Sequence, residues 1–361
     1  MLSDLARGRD NNFNLIRILA AFAVLFSHSF SLATGSESAE PLRVTYGLTW
    51  GDIAVNIFFI TSGFLVTSSL LTRQSATTFI WARVLRIFPA LWVMLLVTVF
   101  GLGLALTTES TAAYLHHFET WRYFFKNALL FRGIEYRLPG IKPVINGSLW
   151  SLTPEVRMYA ALLALWLAAA FTGRLRLRAL YAAIVSITML SGAWYLHQGQ
   201  FEPLDNVPRL TFMFFTGASF FVFKDRIALR KAACALLLAA IAVSLLNRVA
   251  LFFALNLSLA YVLMYAAYAV SGPIRAFNSL GDYSYGIYIY AFPVQAGICS
   301  FVPHISVPAL MASSAVITTT LAVLSWHLLE KRALVLKTVF AARTRAGVGS
   351  LFRPLPASTR N

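Results

Sequence analysis

Two ionisable side chains, Arg17 and His28, lie in an otherwise apolar stretch that covers residues 11–32. They are eleven residues apart, close to three turns of an α-helix, so both lie on nearly the same helix face. Their backbones are about 16 Å apart along such a helix, so the two side chains cannot touch. Ionisable groups within a membrane helix are costly and often functional, yet a snorkelling arginine and a hydrogen-bonded core histidine explain the pair equally well.

A carboxylate follows in the segment "TPEVRMY". Thr153 and Pro154 are typical of an N-cap and a first helical residue, which places Glu155 where the helix dipole favours an anion. Tyr159 lies one turn further on the same face. A carboxylate beside an imidazole is a common general-base arrangement, and we expect Glu155 to activate His28 from the outer leaflet.

A pair of arginines, Arg83 and Arg86, lies three residues apart in "WARVLRIF", so the two guanidinium groups share a helix face. At the cytoplasmic start of a membrane span they suit a phosphate-bearing ligand. Lipid head groups would suit them as well.

These residues belong to a chain of 361 residues that is 58% hydrophobic and only 12% charged, which predicts an integral membrane protein rather than a soluble domain. We predict an all-α polytopic fold with both termini in the cytoplasm. Residues 1–332 are predicted to form one transmembrane domain, and residues 333–361 a basic, loosely ordered cytoplasmic tail. The ten predicted spans cover residues 13–33, 53–71, 84–106, 148–171, 179–196, 207–223, 232–247, 249–271, 281–301 and 307–329.

The net charge of +16 does not indicate nucleic-acid binding. Most of the 30 Lys and Arg residues fall in alternate loops and in the tail, the positive-inside pattern of a membrane protein. We therefore expect contacts with anionic lipids rather than with nucleic acid. The His and Cys spacings predict no metal site, and the pattern leaves the oligomeric state open.

Five ordered motifs resemble the acyltransferase-3 family of integral-membrane acyltransferases, bacterial proteins of about ten helices that modify sugars of the cell envelope. The resemblance covers roughly residues 11–332. The motifs are an arginine followed eleven residues later by a histidine (Arg17, His28), FFxxSGFL (Phe58–Leu65), RxxR (Arg83, Arg86), SLWSLxxExxxY (Ser148–Tyr159) and SYxIYxxxxP (Ser284–Pro293).

The resemblance implies roles for these residues. It implies that His28 is catalytic and that Arg83 and Arg86 contact an acyl-CoA donor, with acetyl-CoA as the expected co-substrate. We predict Arg17 along the path of the donor. The other motif residues that we predict to bind substrate are Ser62, Trp150 and Tyr159.

The chain also departs from the family pattern. Asn14 and Asn56 stand where an acidic residue is common, Ala291 where many members have a histidine, and Arg332 where a proline is usual. Asp52 lies four residues before Asn56, one turn away at the outer start of the second span.

The predicted function is transfer of an acyl group, most simply acetyl, from cytoplasmic acyl-CoA to a hydroxyl of a cell-envelope polysaccharide or other glycan, in the bacterial inner membrane. His28 either removes the hydroxyl proton or carries the acyl group itself. The alternative is a transporter or flippase of a lipid-linked sugar, in which Arg17, His28 and Glu155 form a proton relay. A third possibility is an inactive scaffold. The sequence does not identify the acceptor.

Overall fold

The computed structural model describes residues 1–6, 8, 10–130, 133–141, 143–198 and 206–351. This described part contains helices and no strand, which confirms the all-α prediction. Its longer helices, labelled in chain order, are α1 (Phe13–Thr34), α2 (Trp50–Arg73), α3 (Ala76–Leu96), α4 (Phe118–Leu129), α5 (Leu152–Ala170), α6 (Arg176–Gln198), α7 (Asn206–Val222), α8 (Lys231–Ser244), α9 (Arg248–Tyr268), α10 (Ser284–Phe301), α11 (Val307–Ser325) and α12 (Lys337–Leu351).

Shorter helical pieces connect these helices. The α-helical pieces are Leu2–Leu5, Pro41–Tyr46, Leu104–Leu106, Thr111–His116, Phe277–Leu280 and Lys331–Val335. The 3₁₀ pieces are Glu37–Ala39, Ser148–Ser151, Gly173–Leu175 and Pro273–Ala276. Two π-helical pieces, Val97–Gly103 and Trp326–Glu330, extend α3 and α11.

Seven continuous helical segments within the described residues are long and apolar enough to cross a bilayer. They are Phe13–Thr34, Trp50–Arg73, Ala76–Leu106, Ser148–Ala170, Gly173–Gln198, Arg248–Tyr268 and Val307–Ala346. Helices α7, α8 and α10 coincide with the other three predicted spans but do not belong to this group, and α8 has only 14 residues. The number of ten spans and the cytoplasmic position of both termini therefore remain predictions.

Helices α2 and α7 pack closely enough for their backbones to touch. A Cβ atom at Gly63 would lie 1.9 Å from the carbonyl oxygen of Phe214, and one at Gly217 would lie 2.0 Å from the carbonyl oxygen of Ile60. Only glycine fits at such a distance, as is usual where membrane helices meet through small residues. This contact holds α2, which carries the FFxxSGFL motif, in a fixed position.

The predicted tail, residues 333–361, contains helix α12 in its described part. Helix α12 packs on α3, where the ring of Phe340 stacks on Trp81 with centroids 4.8 Å apart. The indole Nε1 of Trp81 donates a hydrogen bond to Thr344 Oγ1 at 2.9 Å. Phe340 and Thr344, one helical turn apart, therefore both contact Trp81 of α3. Residues 352–361 of the predicted tail lie outside the described residues.

Candidate functional site

The first of two large cavities, here called the arginine cavity, has a volume of about 280 Å³. Its walls come from α1, α2, α3, α5 and α10, together with the segments that follow α11. Five cations and two carboxylates line it: Arg17, Arg73, Arg83, Arg86, Lys337, Glu155 and Asp282. The excess of positive charge suits an anionic ligand.

Arg86 is held by two carboxylates. Its Nη2 donates to Asp282 Oδ2 at 2.5 Å and its Nη1 to Glu330 Oε2 at 3.0 Å. Arg17 Nη1 donates to the same Asp282 oxygen at 3.0 Å. Ser325 Oγ in turn donates to Glu330 Oε1 at 2.9 Å. These charges compensate one another, so Arg86 and Arg17 are fixed in position by the protein itself.

Arg83 differs from its motif partner Arg86. No carboxylate within the described residues lies at ion-pair distance from Arg83. Its guanidinium carbon lies 5.7 Å from the ring centroid of Tyr159, and its buried Nε has no hydrogen-bond partner. A buried cation without a bonded anion is costly. The two arginines were predicted to act alike, but of the two only Arg83 is left without a carboxylate.

The predicted site residues Ser62, Glu155 and Tyr159 come together in the arginine cavity. Glu155 Oε1 accepts hydrogen bonds from Ser62 Oγ at 3.2 Å and from the hydroxyl of Tyr159. The helix start predicted at Pro154 is wrong, because a 3₁₀ turn at Ser148–Ser151 leads directly into α5.

Tyr288 anchors that 3₁₀ turn. Its hydroxyl lies 2.6 Å from Ser151 Oγ and donates to the carbonyl oxygen of Ser148 at 2.8 Å. Two ordered motifs of the sequence, SLWSL and SYxIY, therefore meet at this point. The chain becomes helical several residues earlier than its N-cap pattern indicates because Tyr288 holds the preceding turn.

The second cavity, here called the histidine cavity, has a volume of about 930 Å³. His28 lies in its wall. The imidazole meets the ring of Phe292 edge to face, with centroids 5.0 Å apart, and its buried Nδ1 has no hydrogen-bond partner. The predicted residue Trp150 lines this cavity too, with the guanidinium carbon of Arg209 5.9 Å from its ring centroid. Val55 and Tyr288 line both cavities and therefore lie at the boundary between them.

The sequence predicted that Glu155 lies beside His28. In the structure Glu155 instead faces α2 and the arginine cavity. Glu37, Glu40 and Asp52 line the cavity of His28, and of these carboxylates Asp52 is the one that acts electrostatically on His28. A Cβ atom at Gly51 would lie 3.1 Å from Ser27 Oγ, so the neighbours of Asp52 and His28 in the chain are packed together.

Asp52 is itself well ordered. Its Oδ1 accepts from Arg209 Nη1 at 2.8 Å, and its Oδ2 accepts from the backbone N and Oγ1 of Thr49 at 3.0 and 2.9 Å. The side chain of Arg209 is 3% exposed and that of Asp52 is 30% exposed, so the arginine is buried and the carboxylate is partly open to the cavity. Asn56, one turn from Asp52, also lines the cavity, and its buried Oδ1 has no hydrogen-bond partner.

Sequence reasoning assigned no role in these sites to three charged residues: Asp282, Glu330 and Arg209. Each lies at the end of an apolar stretch, where charged groups are common anchors. The sequence did contain one indication of such residues: several arginines lie in predicted membrane spans, and a cation there needs a carboxylate partner from elsewhere in the chain. Within the described ranges no group of three or more His, Cys, Asp or Glu side chains could hold a metal ion.

Comparison with known proteins gives a family match across most of the chain. The model of the family described as "Acyltransferase domain" (acyltransferase 3) matches residues 10–327. An "O-acetyl transferase" of Shigella phage Sf6 is 30% identical over 338 residues, which cover 90% of this chain and 96% of the relative. "Nodulation protein 10" of Rhizobium leguminosarum bv. viciae is 30% identical in an alignment that covers 93% of this chain and 96% of the relative. No solved structure matches the chain.

Proposed function

Because the chain belongs to the acyltransferase-3 family and is a multi-pass membrane O-acyltransferase, we propose that it transfers an acetyl group from acetyl-CoA to a hydroxyl of a glycan. The observation that carries this proposal is the pair of adjoining cavities. One is rich in arginine, the other contains the histidine, and they meet at Val55 and Tyr288.

The arginine cavity suits the donor. CoA is a polyanion whose neutral arm ends in the thioester, and Arg83 offers a charge without a carboxylate partner to its phosphates. The basic loops of the positive-inside pattern favour the cytoplasmic side for this cavity, which is where acyl-CoA is made. The inner membrane of a bacterium is the corresponding location.

The histidine cavity suits the acceptor. Its wall carries amide and hydroxyl groups and the aromatic ring of Trp150, the groups that hydrogen-bond and stack on a sugar. The volume of about 930 Å³ has room for more than one sugar unit. The "O-acetyl transferase" name of the phage relative supports acetyl as the acyl group.

The chemistry follows from this arrangement. His28 takes the proton of the acceptor hydroxyl, whose oxygen bonds to the carbonyl carbon of the thioester. The carbon–sulfur bond then breaks, and CoA leaves as the thiolate, which recovers a proton from the imidazolium. Asp52 lies in the wall of the same cavity, where its carboxylate is placed to compensate the imidazolium that forms in the first step. In the variant route, a nitrogen of His28 bonds to the thioester carbon and CoA leaves as the thiolate. The acceptor hydroxyl oxygen then bonds to the acetyl carbon, the carbon–nitrogen bond breaks, and the hydroxyl proton goes to the thiolate.

A comparison of strains with and without the protein tests this function. Mass spectrometry of envelope glycans is expected to show an acetyl increment that depends on the protein and is absent when the strain carries His28→Gln. A strain in which no glycan gains an acetyl group, while a lipid-linked sugar changes its membrane leaflet, would favour the transporter instead.

A further inference from the structure

Helix α10 is bonded to α1 close to His28. Phe292 and Gln295 lie three residues apart on α10 and therefore share a face of that helix. The buried Nε2 of Gln295 donates to the carbonyl oxygen of Leu25 at 2.9 Å and to Ser29 Oγ at 2.7 Å. Because these two acceptors come before and after His28 in the chain, the bonds fix α1 relative to α10 at the level of the imidazole.

The ring of Phe292 packs both on His28 and on the backbone of Gly147. It meets the imidazole edge to face, with centroids 5.0 Å apart. A Cβ atom at Gly147 would lie 2.6 and 2.7 Å from Cε2 and Cζ of the same ring. The φ of Gly147 is −79°, which any residue can adopt, so glycine is needed there for the space that the ring occupies. The ring therefore has a close contact with each of the two residues.

The two ring nitrogens of His28 differ in their surroundings. Nδ1 is buried and has no hydrogen-bond partner among the described residues. The imidazole lines the histidine cavity, so Nε2 is the nitrogen that can meet a ligand there. A functional histidine is commonly oriented by a hydrogen bond to its second nitrogen. Here Phe292, which lines neither cavity, packs on the ring instead.

We propose that Phe292 is a positioning residue that holds the imidazole of His28 so that Nε2 faces the histidine cavity and is the nitrogen that reacts. Nε2 then takes the proton of the acceptor hydroxyl or, in the variant route, bonds to the thioester carbon. Phe292 orients the imidazole by packing and exchanges no proton itself. The reactive role of His28 in this inference rests on the proposed function.

Steady-state acetyl transfer by the purified full-length protein, with radiolabelled acetyl-CoA and an extract of envelope glycans, tests the role of Phe292. Phe292→Leu keeps an apolar side chain but removes the ring. Its kcat is expected to fall by about a hundredfold, as it does when a catalytic group is displaced by about 1 Å. CoA affinity is expected to stay that of the wild type, because Phe292 does not line the arginine cavity.

Phe221→Leu is the matched control and is expected to keep the kcat of the wild type. Phe221 is 8% exposed and Phe292 7% exposed, and Phe221 also meets a ring edge to face, that of Phe64 at 5.5 Å between centroids. It lines neither cavity. An equal loss of kcat in Phe221→Leu and Phe292→Leu would overturn the inference, and so would a wild-type kcat in Phe292→Leu.

A double-mutant cycle with Gly147→Ala shows whether the ring acts through its position. The added methyl group displaces the ring of Phe292 and is expected to lower kcat while CoA affinity is kept. Leucine lacks the two ring atoms next to Gly147, so Gly147→Ala is expected to cost little more in the Phe292→Leu background. Independent losses that multiply in the double variant would overturn the inference.

Modification by diethyl pyrocarbonate probes the same imidazole without any transfer reaction. Peptide mass spectrometry is expected to show one carbethoxyl group on His28 of the wild type, where Nδ1 is buried, and the gain of a second group in Phe292→Leu. The same modification of His28 in both proteins would overturn the inference. Failure of the proposed function gives a different result, namely a wild type that transfers no acetyl group although His28 is modified in the expected pattern.

Discussion

Arg86 and Glu330 form an ion pair at 3.0 Å although 244 residues separate them in the chain. The Glu330 side chain is 1% exposed and that of Arg86 is 13% exposed, so the pair is shielded from water. This pair ties the segment that follows α11 to α3, beside the arginine cavity. If Glu330 loses its charge, Arg86 stays buried with Asp282 as its remaining carboxylate partner.

Glu330→Gln is therefore expected to destabilise the protein by about 3 kcal/mol, the usual cost of breaking a buried ion pair. Unfolding of the purified protein in detergent measures this loss. Glu135→Gln is the matched control, because Glu135 pairs with Lys126 at 2.8 Å where both side chains are 27% exposed. Its expected cost is below about 1 kcal/mol. Equal losses of unfolding free energy in the two variants would show that burial does not strengthen the contribution of the Arg86–Glu330 pair to stability.

Arg83→Gln is expected to act on ligand binding rather than on stability. Arg83 has no carboxylate at ion-pair distance among the described residues, so its loss breaks no salt bridge. We expect CoA binding to weaken by about 1.5–3 kcal/mol, roughly tenfold to more than a hundredfold. The unfolding transition is expected to stay close to that of the wild type.

Arg86→Gln is the paired comparison, since it should lower stability because Asp282 and Glu330 lose their common partner. Isothermal titration and unfolding of both variants separate the two roles. Similar losses of stability in Arg83→Gln and Arg86→Gln would contradict the assignment of ligand binding to Arg83 and of a structural role to Arg86.

Asp52→Asn is expected to lower the rate of acetyl transfer by about tenfold or more and to leave CoA affinity unchanged, because Asp52 lines the cavity of His28 and not that of Arg83. The substitution also leaves Arg209 without its carboxylate, so a loss of activity alone does not distinguish the two effects.

The double variant Asp52→Asn, Asn56→Asp resolves this ambiguity. It moves the carboxylate by one helical turn along the wall of the same cavity, to the position where an acidic residue is common in the family. Recovery of a large part of the transfer rate is expected. A double variant that folds and binds CoA but stays as slow as Asp52→Asn would remove Asp52 from the mechanism.

Gly63→Ala is expected to disrupt the packing of α2 against α7. Its Cβ would lie 1.9 Å from a backbone oxygen of Phe214, which cannot move aside as a flexible side chain can. The expected cost is about 1–3 kcal/mol or more. Gly101→Ala serves as the control, because its Cβ would meet its nearest neighbour, a methyl carbon of Val97, at 3.9 Å. Unfolding in detergent measures both, and a neutral Gly63→Ala would contradict the close packing.

The sequence predicts much of the fold because periodic apolar stretches reveal each helix by itself. The helices at all ten predicted spans are present among the described residues, although seven helical segments are long and apolar enough to cross a membrane. Helix α12 was not among the predicted elements, and its contact with α3 through Phe340 and Trp81 joins residues far apart in the chain, which a single sequence does not reveal.

The sequence predicted which residues line the two cavities better than it predicted which of them contact one another. Arg17, Arg83, Glu155 and Tyr159 do meet in one cavity. Glu155 lines the arginine cavity and His28 the histidine cavity, so the structure shows no contact between these two described residues. Distant charge pairs such as Arg86 with Glu330 leave no local pattern in a single sequence.

The most direct test of the central claim is acetyl transfer by purified protein that carries His28→Gln, measured with radiolabelled acetyl-CoA and an extract of envelope glycans. The wild type is expected to label a glycan, and His28→Gln to label it at least about a hundredfold more slowly while it binds CoA with wild-type affinity. Wild-type transfer rates in a folded His28→Gln variant would contradict the account.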